Sequence, residues 1–254
     1  MNFSAIPKNS LIGKILRFPL KLLPARLAVP IVQGPMRGMR WIVGSGDHGY
    51  WLGSYELAFQ NRFAEVLRPG DVVLDIGAHV GYYTLLASRL VGPDGNVFAF
   101  EPLPRNATYI ERHIRINRLE NVTLSQLAIS DRTGTAHFGG GVSSSTGRID
   151  MTGDLEVDTA SLDDLLQTGK IAPPNVLKID VEGAEMDVLA GGQETIRSGR
   201  PVIFLATHGA DQHGVCLKFL RSFGYALQPL NADGVDQASE ILALPSPDVR
   251  AESE

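Results

Sequence analysis

Four ionisable side chains fall within eight residues, Lys178-Ile179-Asp180-Val181-Glu182-Gly183-Ala184-Glu185, at the end of an apolar run. In an extended strand Lys178 and Asp180 project from one face, and Glu182 and Glu185 carry charge into the following turn and helix. A lysine in a strand that is apolar on both faces is a costly placement unless its charge has a local use. The plainer alternative is a helix start decorated with acids to suit its dipole. Earlier in the chain, Asp75-Ile76-Gly77-Ala78-His79-Val80-Gly81 ends another apolar run, with glycines that permit a sharp turn and a close backbone approach to a ligand. Glu101 ends the next run about twenty residues on, where a carboxylate can accept hydrogen bonds from both hydroxyls of a ribose. Together they point to an adenosyl ligand. A dinucleotide fingerprint needs G-x-G-x-x-G, and His79 occupies the middle glycine's place, so a ligand without a pyrophosphate fits better. Leu127-Ala128-Ile129-Ser130-Asp131 sets a small residue before an apolar one, suited to flank an adenine, although any core contains apolar strand ends.

These residues sit at the ends of elements that read as α/β. From residue 71, short apolar runs alternate with amphipathic stretches, the pattern of a parallel sheet covered by helices. Strands are predicted over Asp71–Ile76, Asn96–Glu101, Val122–Ala128, Val176–Asp180 and Pro201–Ala206, and helices over Gly81–Val91, Pro102–Asn117, Ala184–Arg197 and Val215–Phe223. Ser161, with Asp164 three residues on, reads as a helix N-cap. Residues 131–160, rich in Gly, Ser and Thr, read as a hairpin-like insertion with a mobile tip. Tyr225–Pro229 and Glu240–Leu244 are expected to close the sheet as an antiparallel hairpin, before a frayed tail over residues 246–254. Open parallel sheets bind ligands beyond the carboxyl ends of their strands, which is where the singled-out residues fall.

With 254 residues, 44% hydrophobic and 20% charged, the chain has the composition of one globular catalytic domain, expected over residues 51–245. A net charge of -5 argues against a nucleic-acid partner. The lone Cys216 cannot form an internal disulfide and is expected on a buried helix face. Residues 1–40 carry seven basic side chains and no acidic one, leaving 16 basic against 28 acidic residues in the remainder. The basic, apolar leader, residues 1–50, is expected to pack across the domain, with peripheral contact to an anionic membrane as the alternative. Lys14, Arg17 and Lys21 interrupt its apolar residues and Pro19, Pro24 and Pro30 break any long helix, so it does not read as a signal peptide, and a cytoplasmic location is expected.

The segments VLDIGAHVGYYT (Val73 to Thr84), FEPLPRN (Phe100 to Asn106), LAISDRTG (Leu127 to Gly134) and LKIDVEGAEMDVLAG (Leu177 to Gly191) resemble the FkbM-type methyltransferases, over roughly residues 50–245. The resemblance implies a Rossmann-like class I methyltransferase fold, with a seven-stranded, mostly parallel sheet, and S-adenosylmethionine as cofactor. It implies O-methylation of a small-molecule or glycan acceptor, a sugar, glycolipid or polyketide-type hydroxyl. By position, Asp75, Gly77, Ala78 and Gly81 would hold the methionine end of the cofactor, Glu101 its ribose, and Ala128, Ile129 and Ser130 its adenine. Asp180 would face both sulfonium and acceptor. His208 matches the family's histidine after the fifth strand, while Ala206 stands where the family usually has an acid.

Methyl transfer needs the acceptor in line with the S–CH3 bond, so positioning supplies much of the catalysis. A hydroxyl must also lose its proton, for which His208, with an ordinary pKa of about 6.5, is the expected general base, or failing it Asp180. Lys178 and Glu182 are expected to fix the geometry. A core or capping histidine is the alternative. Asp180, Glu182 and Glu185 are expected to serve a polar network and not a metal. The aromatic segment Gly49 to Glu56 either roofs the cofactor or docks as a helix on the sheet. An NAD(P)-dependent oxidoreductase is disfavoured by the glycine spacing and by the lack of a Tyr-x-x-x-Lys dyad, and a non-catalytic S-adenosylmethionine-binding module would retain binding without turnover.

Overall fold

The apolar runs become the centre of a seven-stranded sheet in a computed structural model that describes residues 19–139, 148–149 and 155–246. Strands β3 (Val72–Ile76), β4 (Asn96–Phe100), β5 (Val122–Ser125), β10 (Val176–Ile179) and β11 (Val202–Ala206) run parallel. The last pair, β12 (Tyr225–Pro229) and β13 (Glu240–Pro245), closes the sheet as an antiparallel hairpin, with β13 antiparallel to β11. The order is β12-β13-β11-β10-β3-β4-β5, so the sheet has the expected seven strands, mostly parallel, with the antiparallel hairpin at its C-terminal end. Strand order reverses between β3 and β10, so the crevice beyond their carboxyl ends is the predicted ligand position. Every residue of β10 is buried, Lys178 among them, because helices cover both faces.

The covering helices include α1 (His48–Leu52), α2 (Leu57–Val66), α3 (Tyr82–Val91), α4 (Pro104–Asn117), α5 (Leu162–Gln167), α6 (Glu185–Ala190), α7 (Gln193–Gly199) and α8 (Ala210–Ser222). Ser161 caps α5 by accepting from Asp164 N–H, and Cys216 is buried on α8. Three segments depart from the predicted elements. The single helix expected over 184–197 is two, because a Cβ on Gly191 would lie 2.1 Å from Ser130 O, a tertiary approach that fixes the junction there. The strand expected to run to Ala128 stops at Ser125. Ala128–Ile129 (β6) instead pairs with β9 (Leu155–Ala160), in a small second sheet with β7 (Gly134–Gly139) and β8 (Arg148–Ile149). Helix α8 also begins five residues before the predicted Val215. The tip of the 131–160 insertion, the start of the leader and the tail from residue 247 lie outside the described residues.

The described part of the leader is packed into the domain. Strands β1 (Ala28–Pro30) and β2 (Arg40–Ile42) pair with each other, and the buried Trp41 stacks on His113 of α4, ring centroids 4.0 Å apart. Ile42 N–H donates to His113 Nε2 (3.1 Å), and His113 Nδ1–H donates to Val80 O (2.9 Å) in the turn after β3. The buried imidazole must therefore be neutral, and burial lowers its pKa to about 4. Its folded pKa lies below the unfolded value of about 6.5, so stability is complete above pH 6.5 and is lost as pH falls toward 4, by roughly 3 kcal/mol. The denaturation midpoint should drop across that window more in the wild type than in His113→Gln, which retains a donor and an acceptor but takes no proton. Equal drops would mean that His113 is not the sensor. Among the described residues no helix is long and apolar enough to cross a membrane.

Candidate active site

A pocket opens at the switch point, floored by Gly77, Ala78 and His79 of the turn after β3. Gly77 has φ of 74° and a Cβ there would sit 1.9 Å from Asp180 O, so only glycine lets the β3 turn pass beneath the end of β10. Glu101, beyond β4, is buried against the pocket wall. It accepts from His79 N–H (2.8 Å), Leu103 N–H (3.0 Å) and Asn106 Nδ2 (3.2 Å). Burial raises its pKa to about 7 despite these donors. Leu127, Ala128 and Ile129 form an apolar edge, and Tyr50, Tyr55, Tyr82 and Tyr83 form an aromatic wall opposite. A tight glycine turn, a carboxylate with lone pairs to spare and an apolar slot fit the methionine, ribose and adenine of S-adenosylmethionine.

Lys178 joins this pocket to a second cavity. Its ammonium is buried, donates to Gly77 O (2.9 Å), and lies 3.3 Å from Asp75 Oδ1 and 3.6 Å from Asp180 Oδ2. Burial alone would depress its pKa, but the two carboxylates outweigh it and the pKa is raised, so the lysine stays charged. The second cavity takes Tyr55, Tyr83, Lys178, Asp180 and Glu182 from the shared wall and adds Glu56, His208 and Glu240. His208 Nδ1–H donates to the fully buried Glu185 (2.8 Å), while Nε2 faces Asp180 (3.7 Å) and Glu182 (3.6 Å). The Glu185 hydrogen bond outweighs partial burial, Asp180 and Glu182 add to it, and the His208 pKa rises to about 9. The expectation of a mostly neutral imidazole at pH 7 is thereby corrected, because three carboxylates hold the proton on. Asp180, Glu182 and His208 offer ligand atoms within 4.8 Å of one another, a spacing a cation can span.

Among the described residues, five that are not glycine have positive φ. Arg118 and Arg200 end helices, but Glu56 (39°), His79 (51°) and Glu182 (57°) ring the site, as backbone strain tends to do. Of the expected cofactor contacts, Gly77, Ala78, Glu101, Ala128, Ile129 and Asp180 line the pocket. Asp75, Gly81 and Ser130 do not. Asp75 is buried behind the turn, accepting from Thr84 Oγ1 (2.6 Å) and facing Lys178. Gly81 starts α3 against Ile110, and Ser130 turns toward Asp131 (3.3 Å). The segment Gly49 to Glu56 contributes both a docked helix and part of the roof, through Tyr50 and Tyr55. Glu240 was not foreseen. It stands in register with Ala206 across β11 and β13 and lines the same cavity, so a neighbouring strand supplies an acid beside the alanine. A carboxylate two strands away in sequence leaves no local signal.

Known proteins share both the sequence pattern and the fold. Hexuronic acid methyltransferase AglP of Haloferax volcanii is 30% identical over 154 residues, covering 59% of this chain and 62% of that protein. The 2-O-methyltransferase NoeI of Sinorhizobium fredii is 30% identical over 165 residues, covering 57% and 65%. The 31-O-demethyl-FK506 methyltransferase FkbM of Streptomyces tacrolimicus is 28% identical over 203 residues, covering 65% and 76%. The chain thus spans a little under two thirds of the length of the first two relatives. A methyltransferase FkbM from Methylobacillus flagellatus KT, a crystal structure 17% identical, superposes with a TM-score of 0.52 over 91% of this chain and 60% of its own, which speaks for the fold. Residues 75–227 match the model of the methyltransferase FkbM domain, and with that match over more than half its length the chain belongs to the FkbM methyltransferase family.

Proposed function

We propose that the chain transfers the methyl group of S-adenosylmethionine to a hydroxyl oxygen of a small sugar-like or polyketide-like acceptor. The observation that carries this reading is the adjacency of two compartments with five lining residues in common. A pocket with the chemistry for an adenosyl ligand shares a wall, Asp180 and Lys178 among its residues, with a cavity holding a carboxylate-supported histidine. The relatives named for a hexuronic acid, a 2-O position and a 31-O position support an oxygen acceptor. When bound, S-adenosylmethionine supplies an electrophilic methyl on a sulfonium. Gly77 and Ala78 hold its methionine end, Glu101 its ribose hydroxyls, and Ala128 and Ile129 its adenine. Lys178 keeps the Gly77 carbonyl, Asp75 and Asp180 in one arrangement, and so couples the cofactor floor to the acceptor wall. Neutral His208, with Nδ1–H held by Glu185, accepts the hydroxyl proton at Nε2, and Glu182 helps to orient the ring. Asp180, Glu182 and His208 form a polar network in which the imidazolium supplies the positive charge between the carboxylates.

The test is transfer of isotopically labelled methyl from S-adenosylmethionine into fractionated small-molecule, lipid and glycan extracts, before and after chelation with EDTA. Label in one fraction, unaffected by chelation, is the expected result. Calorimetric binding of S-adenosylmethionine with no labelled fraction would favour a non-catalytic binding module, and binding of NAD alone would favour an oxidoreductase. Glu101 gives a separate prediction. Its pKa of about 7 means that the ionised form, the better acceptor for ribose hydroxyls, fills in between pH 6 and 8. Cofactor affinity should therefore rise about fivefold to tenfold across that interval and lose the pH dependence in Glu101→Gln. A flat wild-type profile would count against ribose binding at Glu101.

A further inference from the structure

The second cavity has an imbalance of charge that the methyl-transfer chemistry leaves unused. Two cations border it, and each is divided between an acid buried behind the wall and acids on the wall: Lys178 between Asp75 (3.3 Å) and Asp180 (3.6 Å), His208 between Glu185 (2.8 Å), Asp180 (3.7 Å) and Glu182 (3.6 Å). The two buried acids, Asp75 and Glu185, are 1% and 0% exposed. Four more, Glu56, Asp180, Glu182 and Glu240, face the cavity itself. The cofactor brings one net positive charge at its sulfonium, since its amino and carboxylate groups cancel, so carboxylates still outnumber cations around the cavity, and Glu56 and Glu240 are the two that face it with no cation of the protein within ion-pair distance among the described residues.

The arrangement is built and not incidental. Glu56 keeps a left-handed backbone (φ 39°) at the start of α2 while its carboxylate accepts from Tyr83 Oη (2.7 Å), so a strained residue aims an acid at this wall. Glu240 is placed by the register of β13 beside Ala206, whose methyl leaves the room. Partial burial first, and the neighbouring Glu56 and Asp180 carboxylates second, press the Glu240 carboxyl up to about 7.

Resting on the methyltransferase reading above, we propose that the acceptor is a polyhydroxylated molecule bearing a protonated amine, such as an amino sugar, and that uronates and phosphorylated sugars are excluded from this cavity. The ammonium lies toward Glu56 and Glu240, and the hydroxyl to be methylated toward Asp180 and His208. Like charge across the cavity wall rejects an anionic acceptor, a repulsive element of the kind that sets specificity. The first relative, named for a hexuronic acid, would thus differ from this chain in acceptor charge.

The test is titration of methyl glucosaminide, methyl glucoside and methyl glucuronide into the whole chain, followed by saturation-transfer NMR. It is run with and without saturating S-adenosylhomocysteine, once in EDTA and once in magnesium. The expected order is amine, then neutral glycoside, then uronide, with at least about a tenfold span between the extremes. That span should narrow between low and high salt in the wild type, and collapse in the Glu56→Gln, Glu240→Gln double variant. Uronide binding as tight as the amine would overturn the proposal, as would magnesium making the uronide the preferred ligand, or no glycoside binding at all. Failure of S-adenosylhomocysteine to bind would instead bring down the methyltransferase reading, and the cofactor-free titrations would still decide the charge preference.

Discussion

Replacing Lys178 by Met is expected to destabilise the protein by about 3 to 5 kcal/mol, because the substitution leaves the carboxylate of Asp75 buried without its counter-ion. For a domain of this size that corresponds to a fall in Tm of roughly 6 to 20 °C. The same change removes the donor to Gly77 O, so cofactor affinity should fall in whatever fraction stays folded. The double variant Lys178→Met, Asp75→Leu separates the two effects. With neither charge buried it should recover much of the lost stability, as removal of both members of a buried pair often does, while cofactor binding stays impaired. A Lys178→Met variant that melts within a degree or two of the wild type would mean that the pair contributes nothing.

His208→Ala is expected to lower kcat by about 10^2 to 10^4, the usual scale for loss of a positioned proton acceptor. Affinity for S-adenosylmethionine should change little, because His208 lines the second cavity and not the pocket proposed for the cofactor. The pH profile is the more searching measurement. With the imidazole held protonated up to about pH 9, only a small fraction is available as base at pH 7. The value of kcat/KM should therefore climb with pH, close to tenfold per unit, and level off near 9. Were Asp180 the base, His208→Ala would retain most of its turnover. The Glu185→Gln variant adds a directional check. Losing the carboxylate behind Nδ1 lowers the imidazole pKa, so its profile should level off at lower pH than the wild type's.

The parts legible in the sequence are those whose physics is local or periodic. The strands from Val72, Asn96, Val176 and Val202 are apolar because helices bury both their faces, and a run of such residues announces itself without any partner. Gly77, Glu101 and Asp180 were found because they stand where those runs stop. The rest depended on contacts between distant segments. Gly191 reads locally as an ordinary glycine in a helix, and only the approach of Ser130 O makes it a junction. Ala128–Ile129 is too short to show alternation, and its pairing with Thr159–Ala160 takes it out of the main sheet. The misjudged protonation of His208 has the same origin. Its pKa comes from Glu185, and the linear spacing of twenty-three residues gives no hint of a 2.8 Å hydrogen bond. Glu56 and Glu240 are brought to one cavity from opposite ends of the domain by a helix entry and a strand register.

The contact between Gly77 and Asp180 O divides the molecule into parts that tolerate drift to different degrees. The cofactor turn and the end of β10 are wedged against each other with no room for a Cβ and tied again through Lys178, so neither can be altered without disturbing its neighbour. Glu56 and Glu240 come from outside that wedge, on a helix entry and on the sheet's terminal hairpin. Mutation there can reshape the second cavity while the glycine turn beneath the first pocket stays intact. A lineage of such proteins would be expected to diversify its acceptors by exchanging a few rim residues, and a laboratory library aimed at new acceptors would do best to vary positions 56, 206 and 240 and leave 75 to 81 and 177 to 185 alone.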